Sequence, residues 1–159
     1  LLAGTFIATS GIVATAGETP EAEVEQTIRQ FYTHLNTGDF EKAFQFVKPG
    51  CEGFHPSGLL KRIPNEQVHA MIVAKYTAEH AEGNTRQVQP KLLSVRMLGT
   101  DHAIATYYPE GIQVEDGVSS HFMGRATLVM SKADDKWSLV HWHVSRLAED
   151  EVLTPLAKR

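Results

Sequence analysis

The 159-residue chain contains a single cysteine, Cys51, so it cannot form an internal disulfide. It also has no glycine-rich P-loop, no G-x-G-x-x-G sequence, no cysteine pair and no H-E-x-x-H motif. Its 15 lysines and arginines are scattered along the chain, and the formal net charge is -4. These absences argue against a disulfide scaffold and against nucleic-acid or membrane binding by the mature domain. We predict no metal and no cofactor.

Charge is also missing from the first 16 residues, which end in Ala14-Thr15-Ala16. A short apolar stretch followed by small residues is typical of a secretory signal peptide with its A-x-A cleavage site. A membrane anchor and an ordered N-terminal element are the alternatives, although the stretch is shorter than the ~20 residues that span a bilayer. We therefore predict an N-terminally incomplete signal peptide over residues 1–16, a domain over 17–148 and a polar tail over 149–159. The expected location is periplasmic or secreted.

Helical signals occupy the first half of the mature chain. Thr19-Pro20-Glu21 begins a helix whose apolar residues recur every three or four positions until Gly38. Asp39 begins a shorter helix that ends at Lys48-Pro49-Gly50. Pro64-Asn65-Glu66 begins a third helix with its own apolar stripe, and the turn-rich stretch before it has room for a short hairpin.

Strand signals occupy the second half. Turn residues separate four β-prone stretches, at 91–98, 102–108, 119–131 and 137–145, which predict an antiparallel meander. Three helices packed on a curved, mainly antiparallel sheet make an α+β domain. Strict alternation in the last strand predicts two opposite sets of side chains. One set is Val140, Trp142 and Val144, and the other is Trp137, Leu139, His141 and His143.

Three segments together resemble the nuclear transport factor 2-like superfamily: TGDFEKAF, FHPSG and WSLVHWHVS. They are most similar to its SnoaL-like members and to the association (hub) domain of calcium/calmodulin-dependent protein kinase II, over about Val24 to Arg146. The resemblance implies a cone-shaped fold with a pocket inside and an outer sheet face that dimerises. Because the superfamily includes isomerases, dehydratases, cyclases, binding proteins and oligomerisation hubs, it does not imply one function.

The resemblance also implies where an inner pocket lies. His69 falls where the hub carries a histidine, whereas Tyr108 and Val144 stand where it carries arginines, and Arg125 lies near its third arginine. We therefore do not expect a carboxylate pocket of the hub type. A small apolar or weakly polar ligand is expected instead, in a pocket of aromatic and polar residues. The predicted ligand-binding residues are Tyr32, His69, Tyr108, Phe122, Arg125 and Trp142.

The two histidines of the last strand admit two hypotheses. His141 and His143 lie about 7 Å apart on one face, so they could bind a metal only with a further ligand such as His121 or His102. The resemblance places their face on the outside. We expect His141, His143 and Trp137 to lie in the interface of a homodimer or a larger ring.

Acid–base catalysis is the remaining possibility. The meander strands carry no inward-facing acid, so a general base would have to be His55 or His69, with tyrosines as hydrogen-bond donors. Our leading hypothesis is an exported, dimeric domain that binds a small molecule. The alternatives are an isomerase, dehydratase or cyclase of the SnoaL-like kind, and an oligomerisation scaffold.

Overall fold

The computed structural model describes residues 19–147. The predicted signal peptide (1–16) and the predicted C-terminal tail (149–159) lie outside these residues, and both stay predictions. The helices are α1 (Pro20–Thr37), α2 (Phe40–Phe44) and α3 (Glu66–Ala81). The strands are β1 (Val47–Phe54), β2 (Leu60–Ile63), β3 (Thr85–Met97), β4 (His102–Glu115), β5 (Val118–Ala133) and β6 (Lys136–Arg146). The predicted α+β class is confirmed.

Helix α1 begins and ends as its sequence predicts. The Thr19 hydroxyl accepts a hydrogen bond from the backbone N–H of Ala22 at 3.3 Å, and proline occupies the first turn, where a missing N–H costs nothing. Gly38 ends the helix at φ 75°, a left-handed conformation that glycine adopts without strain. Val24 and Ile28 are fully buried against the sheet, so α1 forms one wall of the core.

Helix α3 packs more loosely than α1. The side chain of Asn65 caps it by accepting a hydrogen bond from the N–H of Val68 at 3.0 Å. None of its 16 residues is fully buried, and Met71 is 64% exposed. Ile72 and Tyr76 are half-buried at the margin of the core. Among the helices between residues 19 and 147, none has both the length and the hydropathy that a membrane span requires.

The six strands form one sheet in the order β2-β1-β6-β5-β4-β3. Neighbours are antiparallel except β1 and β6, which run parallel. The turn-rich stretch before α3 therefore forms a hairpin whose first strand lies next to the last strand of the chain. Strands β3 and β4 are longer than predicted, since they pair from Thr85–Val114 to Met97–Ala103.

The sheet has an inner face, against which the helices pack, and an outer face. Alternate residues of β4, β5 and β6 are buried on the inner face. They include Ala103, Ala105, Tyr107, Ala126, Leu128, Met130, Trp137 and Leu139. The intervening residues form the outer face. They include Glu52 and Phe54 of β1, His102, Ile104, Thr106, Tyr108 and Ile112 of β4, His121, Arg125, Thr127 and Val129 of β5, and His141, His143 and Ser145 of β6.

Candidate functional site

Strand β6 does not alternate strictly, because it contains a β-bulge. Met130 of β5 pairs with Leu139, but the adjacent Val129 pairs with His141. Val140 is therefore an extra residue in β6 with no partner of its own. Such a bulge shifts the side-chain alternation by one residue. Odd-numbered residues therefore face inward before the bulge, and even-numbered residues face inward after it.

The bulge corrects one of our interface predictions. Trp137 and Leu139, before the bulge, are 6% and 9% exposed and belong to the core. Trp142, after the bulge, packs against the same core, while His141 and His143 point outward. The prediction that Trp137 shares a face with the two histidines is wrong. Its side chain has almost no surface to offer to a second copy.

Trp137 instead connects the sheet to α1. Its indole Nε1–H donates to Glu23 Oε2 at 3.0 Å, and Lys132 Nζ donates to the same oxygen at 2.8 Å. These two hydrogen bonds, with that of Lys132 the larger cause, lower the pKa of the Glu23 carboxyl. The cluster holds the start of α1 over the β5–β6 hairpin.

On the outer face, the two histidines of β6 lie between β1 and β5. His141 is opposite Val129 on one side and Glu52 on the other. His143 is opposite Thr127 and Phe54, and its ring contacts the Phe54 ring edge-on, with 5.8 Å between centroids. The predicted outward position of both side chains agrees with the structure, and their place in an interface stays a prediction.

Tyr108 and Arg125 also lie on the outer face, not inside the cone. Tyr108 is 39% exposed, and Arg125 is exposed with its Nε donating to Ser145 Oγ at 3.1 Å. As pocket residues both predictions are wrong. The alignment with the hub arginines placed both side chains in the pocket. Strand alternation instead turns Tyr108 and Arg125 to the other face of the sheet from their buried neighbours Tyr107 and Ala126.

Tyr107 is the inner-face tyrosine that our sequence analysis missed. Its hydroxyl forms a hydrogen bond with that of Tyr32 across 3.1 Å, and the two rings meet edge-on. Burial raises the pKa of Tyr32 to about 12, against the opposing effects of the Tyr107 hydrogen bond and the Arg86 charge. Burial also raises the pKa of Tyr107 well above its usual value. Both phenols therefore stay protonated at neutral pH and act as hydrogen-bond donors, not as bases.

Phe122 and Trp142 lie on the inner face, as predicted. Phe122 is 8% exposed, and Trp142 is half-buried beside β1. Gly53 is directly opposite Trp142, and a Cβ at that position would lie 2.6 Å from Trp142 Cδ2. The indole therefore occupies space that a side chain on β1 would otherwise fill. Whether either aromatic residue contacts a ligand stays a prediction.

The two candidate bases, His55 and His69, have structural contacts. His69 Nε2 lies 2.9 Å from the carbonyl oxygen of Phe44, so this nitrogen carries the proton and ties α3 to α2. His55 Nδ1 accepts from the backbone N–H of Ser57 at 3.3 Å in the β1–β2 loop. Burial, and after it the charges of Lys61 and other basic side chains, lower the pKa of His55. Within residues 19–147, neither histidine forms an ion pair with a carboxylate.

Among the surface depressions of the described residues, two are lined by none of the predicted ligand-binding residues. One, of about 550 Å³, follows the solvent side of α1 from Thr19 to Thr33. The other, of about 310 Å³, lies between Glu79, Arg86 and Glu115. Between residues 19 and 147 there is no group of three His, Cys, Asp or Glu side chains that could hold a metal.

The single cysteine is a core residue. Cys51 is 2% exposed, and burial, followed by the charge of Glu52, raises the pKa of its thiol to about 12. A thiol with that pKa is protonated at neutral pH, and the thiolate is the nucleophilic form. Cys51 therefore packs as a small apolar residue.

Comparison with known proteins gives a family match over most of the chain. A sequence model described as the SnoaL-like domain matches residues 24–149. The chain is also 25% identical, over 130 residues, to the delta subunit of calcium/calmodulin-dependent protein kinase type II from Oryctolagus cuniculus. That match covers 77% of this chain and 23% of the kinase subunit. The chain therefore spans about a quarter of the length of this relative.

Solved structures share the fold. The hub homology domain of the corresponding kinase from Chlamydomonas reinhardtii superposes with a TM-score of 0.66 at 22% identity, covering 82% of this chain and all of that one. A nuclear transport factor 2-like protein of unknown function from Rhodospirillum rubrum superposes with a TM-score of 0.65 at 16% identity, covering 79% and 98%. At these identities the likeness extends to the fold, and the fold predicted from the sequence is confirmed.

Proposed function

Because the chain belongs to the SnoaL-like domain family, whose fold it shares with kinase hub domains, we propose that it is a self-associating domain that binds a second copy through the outer face. The composition of that face carries the proposal. Phe54 is 44% exposed, Tyr108 39% and Ile112 53%, and Ile104 and Val129 are partly exposed on the same face. Apolar side chains that extend across neighbouring strands are typical of a protein–protein interface.

The relatives support this proposal. The fold neighbours include hub and association domains of calcium/calmodulin-dependent protein kinase II from several organisms, and those names refer to assembly. In the described part of this chain, the core forms between the helices and the inner face of the sheet. The opposite face is therefore the one that a second copy can cover.

Sedimentation velocity on the chain tests the proposal. We expect a dimer or a larger ring for the wild type and a monomer for Val129→Glu, which places a charge at the centre of the outer face. Met71→Glu is the matched control, because Met71 is 64% exposed on α3, away from this face. A monomeric wild type, or an assembly that Val129→Glu leaves intact, contradicts the proposal. Far-UV circular dichroism verifies that each variant is folded.

The tyrosine pair on the inner face supports a second candidate function, the binding of a small molecule. When one of the two hydroxyls of Tyr32 and Tyr107 donates to the other, the second O–H remains free to donate to a ligand. Since both phenols stay protonated, a carbonyl or ether oxygen is the fitting acceptor. This arrangement retains the leading hypothesis of our sequence analysis but replaces Tyr108 with Tyr107.

Tyr107 and Tyr108 are adjacent in sequence but point to opposite faces of the sheet, so substituting each in turn tests this candidate function. We expect a cyclic ketone from a small panel to raise the melting temperature of the wild type and of Tyr108→Phe, but not that of Tyr107→Phe. A ligand at 100 times its Kd stabilises the fold by about 2.7 kcal/mol, which a thermal scan detects. The absence of any shift across the panel, or equal shifts in both variants, counts against binding at the tyrosine pair.

A further inference from the structure

Histidines are concentrated on the face that we assign to self-association. Four of the eight histidines of the chain belong to the outer face: His102, His121, His141 and His143. Histidine is the side chain whose charge ordinarily changes between about pH 5 and pH 8.

His141 and His143 have the most central positions. They lie on β6, which has β1 on one side and β5 on the other, so other strands flank them in both directions. His121 is further along β5 and has an acid nearby, with Nε2 3.7 Å from Glu110 Oε1. His102 is the first residue of β4. A second copy that covers the middle of the outer face thus covers the β6 histidines first.

The residues paired with His141 and His143 on the neighbouring strands are mostly uncharged. From β5, His141 faces Val129 and His143 faces Thr127, neither of which carries a charge. From β1, His141 faces Glu52, but the carboxylate of Glu52 accepts from Arg62 Nε at 2.9 Å. That arginine offsets the charge of Glu52.

Two further neighbours of His143 are an aromatic ring and a cation. Phe54 of β1 contacts its ring, and the cationic Arg125 of β5 lies two residues from Thr127 on the same face. A nearby positive charge disfavours protonation of an imidazole, and removal from water disfavours it further. A partner subunit placed over these groups therefore selects neutral histidines.

We infer that self-association through the outer face is controlled by pH, with protonation of His141 and His143 separating the copies as the pH falls. This inference rests on the proposed function. A model-peptide imidazole, whose pKa is ~6.5, is about one-tenth protonated at about pH 7.5 and about nine-tenths protonated at about pH 5.5. Each imidazole that must lose its proton on association weakens binding about tenfold over that interval.

A symmetric dimer contributes these two histidines from each copy, four in all. We expect the dissociation constant to rise at least about tenfold between about pH 7.5 and about pH 5.5, with an upper limit of about 10⁴-fold when all four stay neutral.

Sedimentation equilibrium at the two pH values and one ionic strength measures the change. We expect the dissociation constant of the wild type to rise by the stated factor as the pH falls. The double variant His141→Gln/His143→Gln should have nearly the same dissociation constant at both pH values. His143→Gln alone, at an exposed position, serves if the double variant does not fold. His34→Gln is the matched control, since His34 is on α1, where its Nδ1 lies 3.9 Å from Asp39. It should keep the full pH dependence of the wild type.

The outcomes separate the two proposals. A wild type that is monomeric at both pH values overturns the proposed function, and the present inference with it. Equal dissociation constants at the two pH values overturn only the inference, as does a double variant that retains the wild-type pH dependence. Circular dichroism at each pH distinguishes dissociation from unfolding, and dissociation that coincides with unfolding contradicts the inference.

Discussion

The two faces of the sheet are built from the same strands but differ in burial. On the inner face, Ala103 and Ala105 are fully buried and Met130 is 2% exposed, because the helices pack against them. On the outer face, residues one position away, such as Val129 and Thr127, remain half-exposed. The inner face therefore supplies the stability of one copy, and the outer face is the one through which we propose that a second copy binds.

The largest expected difference in the free energy of unfolding between the two faces is between substitutions of two neighbouring residues of β5. Met130→Ala should cost about 2–5 kcal/mol in the free energy of unfolding, because it leaves a cavity in the core. Val129→Ala should cost less than about 1 kcal/mol in a dilute, monomeric sample, since its side chain is partly in water. Urea denaturation measures both values.

The concentration dependence of the same measurements sharpens the comparison. If the outer face binds a second copy, the cost of Val129→Ala should grow with protein concentration, since association stabilises only the folded state. The cost of Met130→Ala should change much less. Equal costs for the two variants in dilute solution would falsify the assignment of their faces.

Regular alternation made much of this fold predictable from the sequence. Val24 and Ile28 on α1, and the turns before β4 and β6, place the helices and the meander near their observed positions. In β4, the run Ala103, Ala105, Tyr107 already indicates which tyrosine is buried. The prediction of Tyr108 followed an alignment with the hub instead of that alternation.

The bulge in β6 and the position of β1 could not be predicted in the same way. The extra residue at Val140 is visible only through the pairing of Leu139 and His141 with β5. The parallel pairing of β1 with β6 joins segments far apart in sequence, and the short turn-rich β1 shows no periodicity that indicates it. Such contacts depend on tertiary packing, which no local pattern encodes.

Gly53 on β1 offers the next largest effect. A Cβ there would overlap the carbonyl oxygen of Trp142 and crowd its ring, so Gly53→Ala should destabilise the fold by about 1–3 kcal/mol. The adjacent Glu52 faces outward and forms an exposed ion pair with Arg62. Glu52→Ala should therefore cost less than about 1 kcal/mol. Thermal unfolding compares the two, and a Gly53→Ala protein as stable as the wild type contradicts the close approach of β1 to the indole.

The smallest effect concerns the polar margin of the inner face, where Glu23 binds Lys132 and Trp137. The pKa of Glu23 is lowered in the folded state, so its contribution to stability is present above the pKa of the unfolded chain. That contribution is lost as the pH falls through the lower, folded-state value. We expect Glu23→Gln to be less stable than the wild type at neutral pH.

The difference between Glu23→Gln and the wild type should shrink at pH values below about 4, where the carboxyl becomes protonated in the unfolded and then in the folded chain. Glu25→Gln is the matched control, because within residues 19–147 the ion pair of Glu25 is with the exposed Arg29, at 3.8 Å on the same helix. Urea unfolding at both pH values measures the two differences. A Glu23→Gln difference that persists undiminished into acid would show that the cluster stabilises through packing of the tryptophan, because the charge of the carboxylate would then contribute nothing.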